Sequence, residues 1–333
     1  MLPTRHSSTV LTCRKYIQTI KENRTITPLP GPYSNDESPI VMYYQTVKPI
    51  DELLKQQTVP LSSIVIYLSA FHFKRDEEGI VQLYLNDEIP QNQPELLASM
   101  ESLQSSGVRI MMMLGGAGGA YKALFKDYDA CVSVLFDFLR ENLWISGIDL
   151  DVEENVGLDH ICKLITTLNR NVHSSFAITM SPIAEAMLSD IPGLGGFSYT
   201  QLCERPEGDR INWFNVQCYG SYDCITFRSI LNNGHAPERI VFGMLGDEFD
   251  DAAFKKAVNA LYLTWISYPK LRGAALWEFG DTKISPLTFV DGVYSAFNSW
   301  VVSARRIIRL TGDVIYAAVV PQPPDANDAL LVF

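Results

Sequence analysis

The chain has 333 residues, 47% of them hydrophobic and 20% charged, with 21 glycines and 18 prolines. That balance excludes collagen, coiled coil and wholesale disorder, and it leaves ample chain to bury a large core. Lysine and arginine number 27 against 38 aspartates and glutamates, a formal net charge of −11. This argues against nucleic acid and anionic membranes as partners, since both select basic patches. No run in the sequence reaches the ~18 apolar residues of a membrane span. The stretch from Met1 to Pro30 carries no apolar core of a secretory signal, so a cytoplasmic location is expected. The six cysteines, Cys13, Cys131, Cys162, Cys203, Cys218 and Cys224, form no CxxC pair. Free, mostly buried thiols are the expectation, with a Cys203–Cys224 or Cys218–Cys224 bridge as the alternative.

Residues 1–38 are polar and end in Pro28, Pro30, Gly31 and Pro32, the pattern of an arm with one helix over Val10–Lys21. From Ile40, short β-branched or aromatic runs alternate with helical periodicity. The eight candidate strands are Ile40–Gln45, Ser63–Phe71, Val108–Leu114, Gly147–Glu153, Phe176–Ser181, Trp213–Tyr219, Ile240–Leu245 and Gly273–Phe279. Helices are predicted over Pro94–Gln104, Asp129–Asn142, Leu158–Val172, Asp223–Asn232, Asp250–Ile266 and Pro286–Ile308. Gly79–Ile89 reads as a small hairpin or excursion. Pro182–Ile211 reads as a long Gly/Pro-rich loop, of the kind usually reserved for function. Residues 311–333 form a tail with one strand-like run, VIYAAVV. Strands alternating with helices over residues 39–310 predict a single α/β domain, a (β/α)8 barrel flanked by the arm and the tail. Near-continuous apolar strands suit a parallel sheet buried on both faces, and a doubly wound open sheet is the rival.

The chemistry concentrates in Ser146–Glu154, SGIDLDVEE. Asp149, Asp151 and Glu153 at i, i+2 and i+4 share one face of a strand, while Ile148, Leu150 and Val152 take the other. Carboxylates stacked inside a barrel cannot all be ionised, so at least one titrates high and the set titrates together. A carboxyl kept protonated near neutrality is what a general acid requires. The alternatives are a solvated acidic edge, which the apolar flanks oppose, and a Mg²⁺ or Ca²⁺ site.

This segment resembles the catalytic fourth-strand motif of glycoside hydrolase family 18, D-x-x-D-x-D-x-E. Asp149, Asp151 and Glu153 match it, Ser146 stands at its first Asp, and Val152 replaces its aromatic residue. Other segments resemble the family in the right order. VRIMMMLGG ends in Gly115–Gly116, with Met113 near the family's serine; Met180-Ser181-Pro182 closes the fifth strand. Gln217-Cys218-Tyr219 matches the sixth, and Trp277 the eighth. The resemblance spans about Ile40 to Phe279. It implies substrate-assisted hydrolysis with retention of configuration. Glu153 would be the acid/base, Asp151 would orient the acetamido group, Asp149 would share a proton with Asp151, and Tyr219 would donate to the acetamido oxygen. Trp277, Gln217, Met180, Gly115 and Gly116 would line the sugar site, with Tyr43 or Tyr44 and Phe71 as further walls; Tyr44 and Phe71 are taken as the site candidates. The partner implied is an oligosaccharide containing N-acetylglucosamine, from chitin or the N-glycan core, with no cofactor or metal.

The remaining signals are weaker. GGAGGAY does not fit a phosphate loop and reads as flexible backbone. His6, His72, His160, His173 and His235 show no metal spacing, although His72 follows the second strand near the mouth. Glu278 should point away from Trp277, and Asp247 and Glu248 either bind sugar hydroxyls or solvate their loop. Two other function classes stay open: a non-hydrolytic binding protein on the same barrel, and a barrel enzyme using other acid–base chemistry on a small molecule.

Overall fold

The computed structural model describes residues 38–311 except 56–57, with side chains as far as Asn298. The barrel strands are β1 (Ile40–Tyr44), β2 (Ile64–Arg75), β4 (Arg109–Gly115), β5 (Ile145–Asp151), β6 (Ala177–Met180), β7 (Trp213–Gln217), β8 (Ile240–Leu245) and β9 (Gly273–Trp277). Neighbouring barrel strands are all parallel, and β1 pairs with both β2 and β9, which closes the sheet. The open-sheet alternative is thereby excluded. One further strand, β3 (Val81–Leu85), folds back antiparallel on the outer half of β2, which is the predicted excursion.

The predicted helices are present, with shifted ends. They are α1 (Pro94–Ser105), α3 (Tyr128–Glu141), α4 (Leu158–Asn171), α7 (Cys224–Asn232), α8 (Asp251–Ser267) and α9 (Pro286–Thr311). A short α2 (Tyr121–Lys126) precedes α3, and the loop after β6 holds α5 (Glu185–Leu188) and α6 (Tyr199–Cys203). Capping explains two starts. The Asp223 carboxylate accepts from the N–H of Ile225 and Thr226 at 3.0 and 2.9 Å, and Asp250 does the same for Ala252 and Ala253 at 3.0 and 2.8 Å. Both aspartates therefore sit just outside the helices they were predicted to begin.

The core has two layers. The larger lies between strands and helices and takes one parity of each strand, such as Ile148, Leu150, Ile178 and Met180, against stripes such as Ile161, Leu164, Ile165 and Leu168 of α4. The smaller fills the barrel interior with Val41, Tyr43, Val65, Tyr67, Met111, Met113, Ala177, Trp213, Val241 and Ala275. Among the described residues no helix is long and apolar enough to cross a membrane. The described cysteines, Cys131, Cys162, Cys203, Cys218 and Cys224, are free thiols, so neither alternative bridge forms. The predicted helix over Val10–Lys21, Cys13 and the VIYAAVV run lie outside the described residues.

Candidate active site

Strand alternation sends Asp149 and Asp151 of β5 into the barrel while Ile148 and Leu150 pack outward. Asp149 is wholly buried and Asp151 is 3% exposed. The strand ends at Asp151, so Glu153 stands beyond it, partly buried at the mouth rather than on the strand proper. The functional face is thus the C-terminal end of the strands, where barrel enzymes build their sites.

Asp149 is wrapped in donors. Its Oδ1 accepts from Thr179 Oγ1 at 2.5 Å and Asn215 Nδ2 at 3.1 Å. Its Oδ2 accepts from Ser181 Oγ at 2.6 Å and from the Tyr43 hydroxyl at 3.0 Å. Burial raises the Asp149 carboxyl above the usual range, while hydrogen bonds from Ser181, Thr179, Tyr43 and Asn215 pull it back. Asp151 has no such relief. Burial pushes it well above the carboxylate range, and the negative charges of Glu153 and Asp149 push it further. Burial therefore disfavours charge on both acids, and the hydrogen bonds that oppose it are gathered on Asp149.

Above the pair lies a pocket lined by Tyr43, Asp151, Ser181, Asn215, Gln217, Tyr219, Gly243, Ala275 and Trp277. Gln217 Nε2 donates to the Ser181 carbonyl at 3.1 Å and stands 3.5 Å from Asp151 Oδ1. Tyr219 follows the end of β7 and is 37% exposed. Burial, then the charges of Asp151 and Glu153, raise its phenol, so the hydroxyl stays protonated and able to donate. Trp277 ends β9 and packs its ring 5.3 Å from that of Tyr43. Gly243 and Ala275 are the smallest residues of the pocket lining.

The structure therefore brings Asp149, Asp151, Glu153, Gln217, Tyr219 and Trp277 to one place, and removes five expected lining residues. Tyr44 faces the outer layer, with its ring 5.3 Å from Phe279 and its hydroxyl on the Lys48 carbonyl. Tyr43, one residue earlier, is the tyrosine that faces the interior. Met180 also faces outward, because Thr179 and Ser181 take the inward parity of that segment. Phe71 turns to the helices and packs 5.2 Å from Phe138; a register shift between Leu68 and Phe71 alters the alternation of β2. Gly115 and Gly116 serve Asp151 rather than line the pocket. Gly115 has φ of 105°, and a Cβ there would lie 2.2 Å from the Asp151 carbonyl oxygen, so only glycine fits. The Gly116 N–H donates to that carbonyl at 2.9 Å. Ser146, at the motif's first Asp, donates to the Ile110 carbonyl at 2.9 Å and takes no part in the bonds around Asp149.

Several neighbours escaped the sequence reading. Thr179, Ser181 and Asn215 are polar residues at inward parity in apolar strands, a signal that applying the Asp149 alternation rule to β6 and β7 exposes. Glu154, beside Glu153, accepts the N–H of Ala120 and Tyr121 at 2.6 and 2.7 Å, which ties the acid's segment to the start of α2. The Gly195 carbonyl accepts from the N–H of Val156 and Gly157 at 3.0 and 3.1 Å, joining the loop after β6 to the same segment. His72 Nδ1 contacts the Gly119 carbonyl oxygen and braces the glycine loop instead of facing the pocket. Glu278 points away from the pocket as expected, accepting the N–H of Gln45 and Thr46, each at 3.1 Å. Asp247 and Glu248 are exposed in a short turn after β8. Among the described residues no cluster of histidine, cysteine and carboxylate could hold a metal ion.

No family model matches the sequence, and no curated protein matches it either. Solved structures do. A chitinase from Aspergillus fumigatus is 27% identical, with 82% of this chain and 100% of that chain covered and a TM-score of 0.64. A fungal endo-β-N-acetylglucosaminidase of family 18 is 26% identical, with 78% and 98% covered and a TM-score of 0.67. An Ostrinia furnacalis chitinase catalytic domain, solved with an N-acetylglucosamine oligosaccharide, shares the fold at 13% identity, with 79% and 97% covered and a TM-score of 0.53. The closed barrel, the acids of β5 and two likenesses above a quarter identity make this chain similar to the family 18 glycoside hydrolases.

Proposed function

We propose that the chain is a retaining glycosidase that cleaves β-1,4 linkages at N-acetylglucosamine by substrate-assisted catalysis. The observation that carries the reading is the position of Asp151, a buried carboxyl whose titration is raised by burial and by the charges of Glu153 and Asp149, opening onto a pocket walled by Gln217, Tyr219 and Trp277. Trp277 offers an apolar ring to stack on the sugar, and Tyr219 offers a hydroxyl donor for the acetamido oxygen. Glu153 protonates the leaving glycosidic oxygen as the acetamido oxygen attacks the anomeric carbon, and the bond to the leaving sugar breaks. Asp151 takes a hydrogen bond from the acetamido N–H, and as the positive oxazolinium ring forms its proton passes to Asp149, so that a carboxylate faces the ring. Water then attacks the anomeric carbon, Glu153 takes its proton, and the ring reopens to the acetamide. Two displacements at one carbon leave its configuration retained.

The likenesses above a quarter identity include a chitinase and an endo-β-N-acetylglucosaminidase, so both chitin oligomers and the chitobiose core of N-glycans are proposed substrates. The test is hydrolysis of a fluorogenic chitotrioside and of a high-mannose glycopeptide by wild type and Glu153→Gln. Release from one substrate, lowered about 100- to 10,000-fold in the variant, supports the reading and names the substrate. No release of either by folded wild type, or an unchanged rate in the variant, overturns it.

A further inference from the structure

The bonds around Asp149 have a direction, and it is set from the far side of the barrel. The Trp213 indole N–H only donates, and it donates to the Asn215 side-chain carbonyl at 3.0 Å. That fixes the amide, so Nδ2 faces Asp149 Oδ1 at 3.1 Å and the Tyr67 hydroxyl oxygen at 3.2 Å. Tyr67 receives from the amide and turns its own proton toward Thr179 Oγ1, 3.1 Å away. Thr179 then has its proton for Asp149 Oδ1. Both routes from Trp213 end on the same carboxylate oxygen as donors. On Oδ2, Ser181 and Tyr43 contact each other at 2.6 Å as well as the carboxylate, so at least one of their protons points to it.

We infer that Trp213, Asn215, Tyr67 and Thr179 form a one-way hydrogen-bond chain that holds Asp149 as the carboxylate of the resting pair and leaves the pair's proton on Asp151 until substrate binds. Asn215 and Thr179 are then positioning residues of the reaction: they act through Asp149 and do not touch substrate chemistry themselves. The inference rests on the proposed glycosidase reading, and it adds how this chain fixes the protonation state of its acid pair. The residues at the motif's departures contribute nothing to it, since Ser146 is bonded to the β4 backbone and Met113 fills the interior with an apolar side chain. The ionisable groups facing Asp149 are Tyr43 from β1, Tyr67 from β2, Asp151 from β5, Tyr121 from α2 and Tyr199 from α6, with Glu153 beyond Asp151. β4, β8 and β9 present Met111, Met113, Val241, Ala275 and Trp277 to the interior, and β6 and β7 present Ala177 and neutral polar groups beside Trp213; the cations lie deeper, with Arg109 buried at the start of β4 and the Arg272 guanidinium 5.7 Å from the Trp213 ring. The contacts made to the Asp149 carboxylate itself are hydrogen bonds, and these offset the cost of burying its charge.

The experiment compares Thr179→Val, which keeps shape and loses the donor, with Thr179→Ser, which keeps the donor. Losing a donor to a charged acceptor raises that acid's titration, so the acid limb of kcat against pH should move up by roughly one unit in Thr179→Val. KM should change by less than about twofold, because substrate binding is not addressed. Thr179→Ser should return the limb to its wild-type position. An unmoved limb in Thr179→Val, or a serine variant that behaves like valine, overturns the inference. A second measurement does not depend on turnover. In protein carrying ¹³C-labelled aspartate carboxyls, with signals assigned by Asp149→Asn and Asp151→Asn, Asp149 should ionise at lower pH than Asp151, and Thr179→Val should narrow the gap. Asp149 titrating above Asp151 overturns the chain even if the protein is an active glycosidase. Conversely, absent hydrolysis with the expected titration order defeats the glycosidase reading and leaves the chain standing.

Discussion

Asp149 and Asp151 stand two residues apart on one strand, point the same way and are both buried, yet their surroundings make them different chemical groups. The deeper layer around Asp149 is a closed set of donors drawn from β1, β6 and β7. The mouth layer around Asp151 offers another acid, a long contact to Gln217 and an open pocket. Burial disfavours charge in both places, and only the deeper layer compensates for it with hydrogen bonds. The lesson is that residue type and parity bring acids together, while the donors on neighbouring strands decide which of them carries the proton.

The sharpest way to break that contrast is to remove the uncompensated member. Asp151→Asn should lower kcat by orders of magnitude on whichever substrate is cleaved, and should also raise the Tm at neutral pH. The sign follows from linkage. The folded-state titration of Asp151 lies above its unfolded value of ~3.9, so folding disfavours the charged form. Wild-type stability should therefore increase as pH falls through the folded titration toward the unfolded value of ~3.9, and that gain should shrink in Asp151→Asn. Melting curves across pH check it; a variant that melts lower at neutral pH would contradict the assignment. Next in size, Tyr219→Phe should cost about 10- to 1,000-fold in kcat, the loss expected for one donor aimed at a developing charge, and steady-state kinetics read it.

Two further predictions separate the inner layer from the outer. Met180→Ala should destabilise the fold by about 2–5 kcal/mol, as for other buried methionines, with KM essentially unchanged, because the side chain packs among helices and not on the ligand. Chemical denaturation beside a Michaelis curve tests both halves. The smallest effect belongs to His235, buried beside Phe214 and pushed down to about 4 by burial and by Arg239. A histidine held neutral in the fold favours the unfolded chain once the latter protonates. Stability should fall as pH drops from ~6.5 toward that value, and His235→Phe should flatten the slope.

Most of the architecture was legible in the sequence because the barrel writes two regular signals, short apolar strands and amphipathic helices between them. The eight barrel strands are all legible, Ile240–Leu245 with both ends, but most of the other C-terminal ends are not: β5 and β7 stop at Asp151 and Gln217, where the chain leaves the ladder to carry Glu153 and Tyr219 outward. The acid triplet was legible because carboxylates at alternate positions stand out in an apolar strand, where burying charge is costly. Tyr44 and Met180 failed because one residue of parity moves a side chain from the interior to the helix layer. Phe71 failed for another reason, since the register shift inside β2 leaves no trace in hydrophobicity. The donors Thr179, Ser181 and Asn215 are ordinary residues whose importance appears only when three strands close around one carboxylate. Glu154 was hidden by its neighbour, because nothing in the run EE says which carboxylate faces the ligand and which one caps a helix.

The most direct test of the account is the configuration of the first sugar released. Proton NMR during the first minutes of hydrolysis of a chitin oligomer or a high-mannose glycopeptide, before mutarotation, reads the new anomeric centre. Substrate-assisted displacement by the acetamido group, with Glu153 as acid and then base, predicts the β-anomer. Initial release of the α-anomer would mean that water attacks the glycosidic carbon directly and would contradict the roles given to Asp151 and Tyr219.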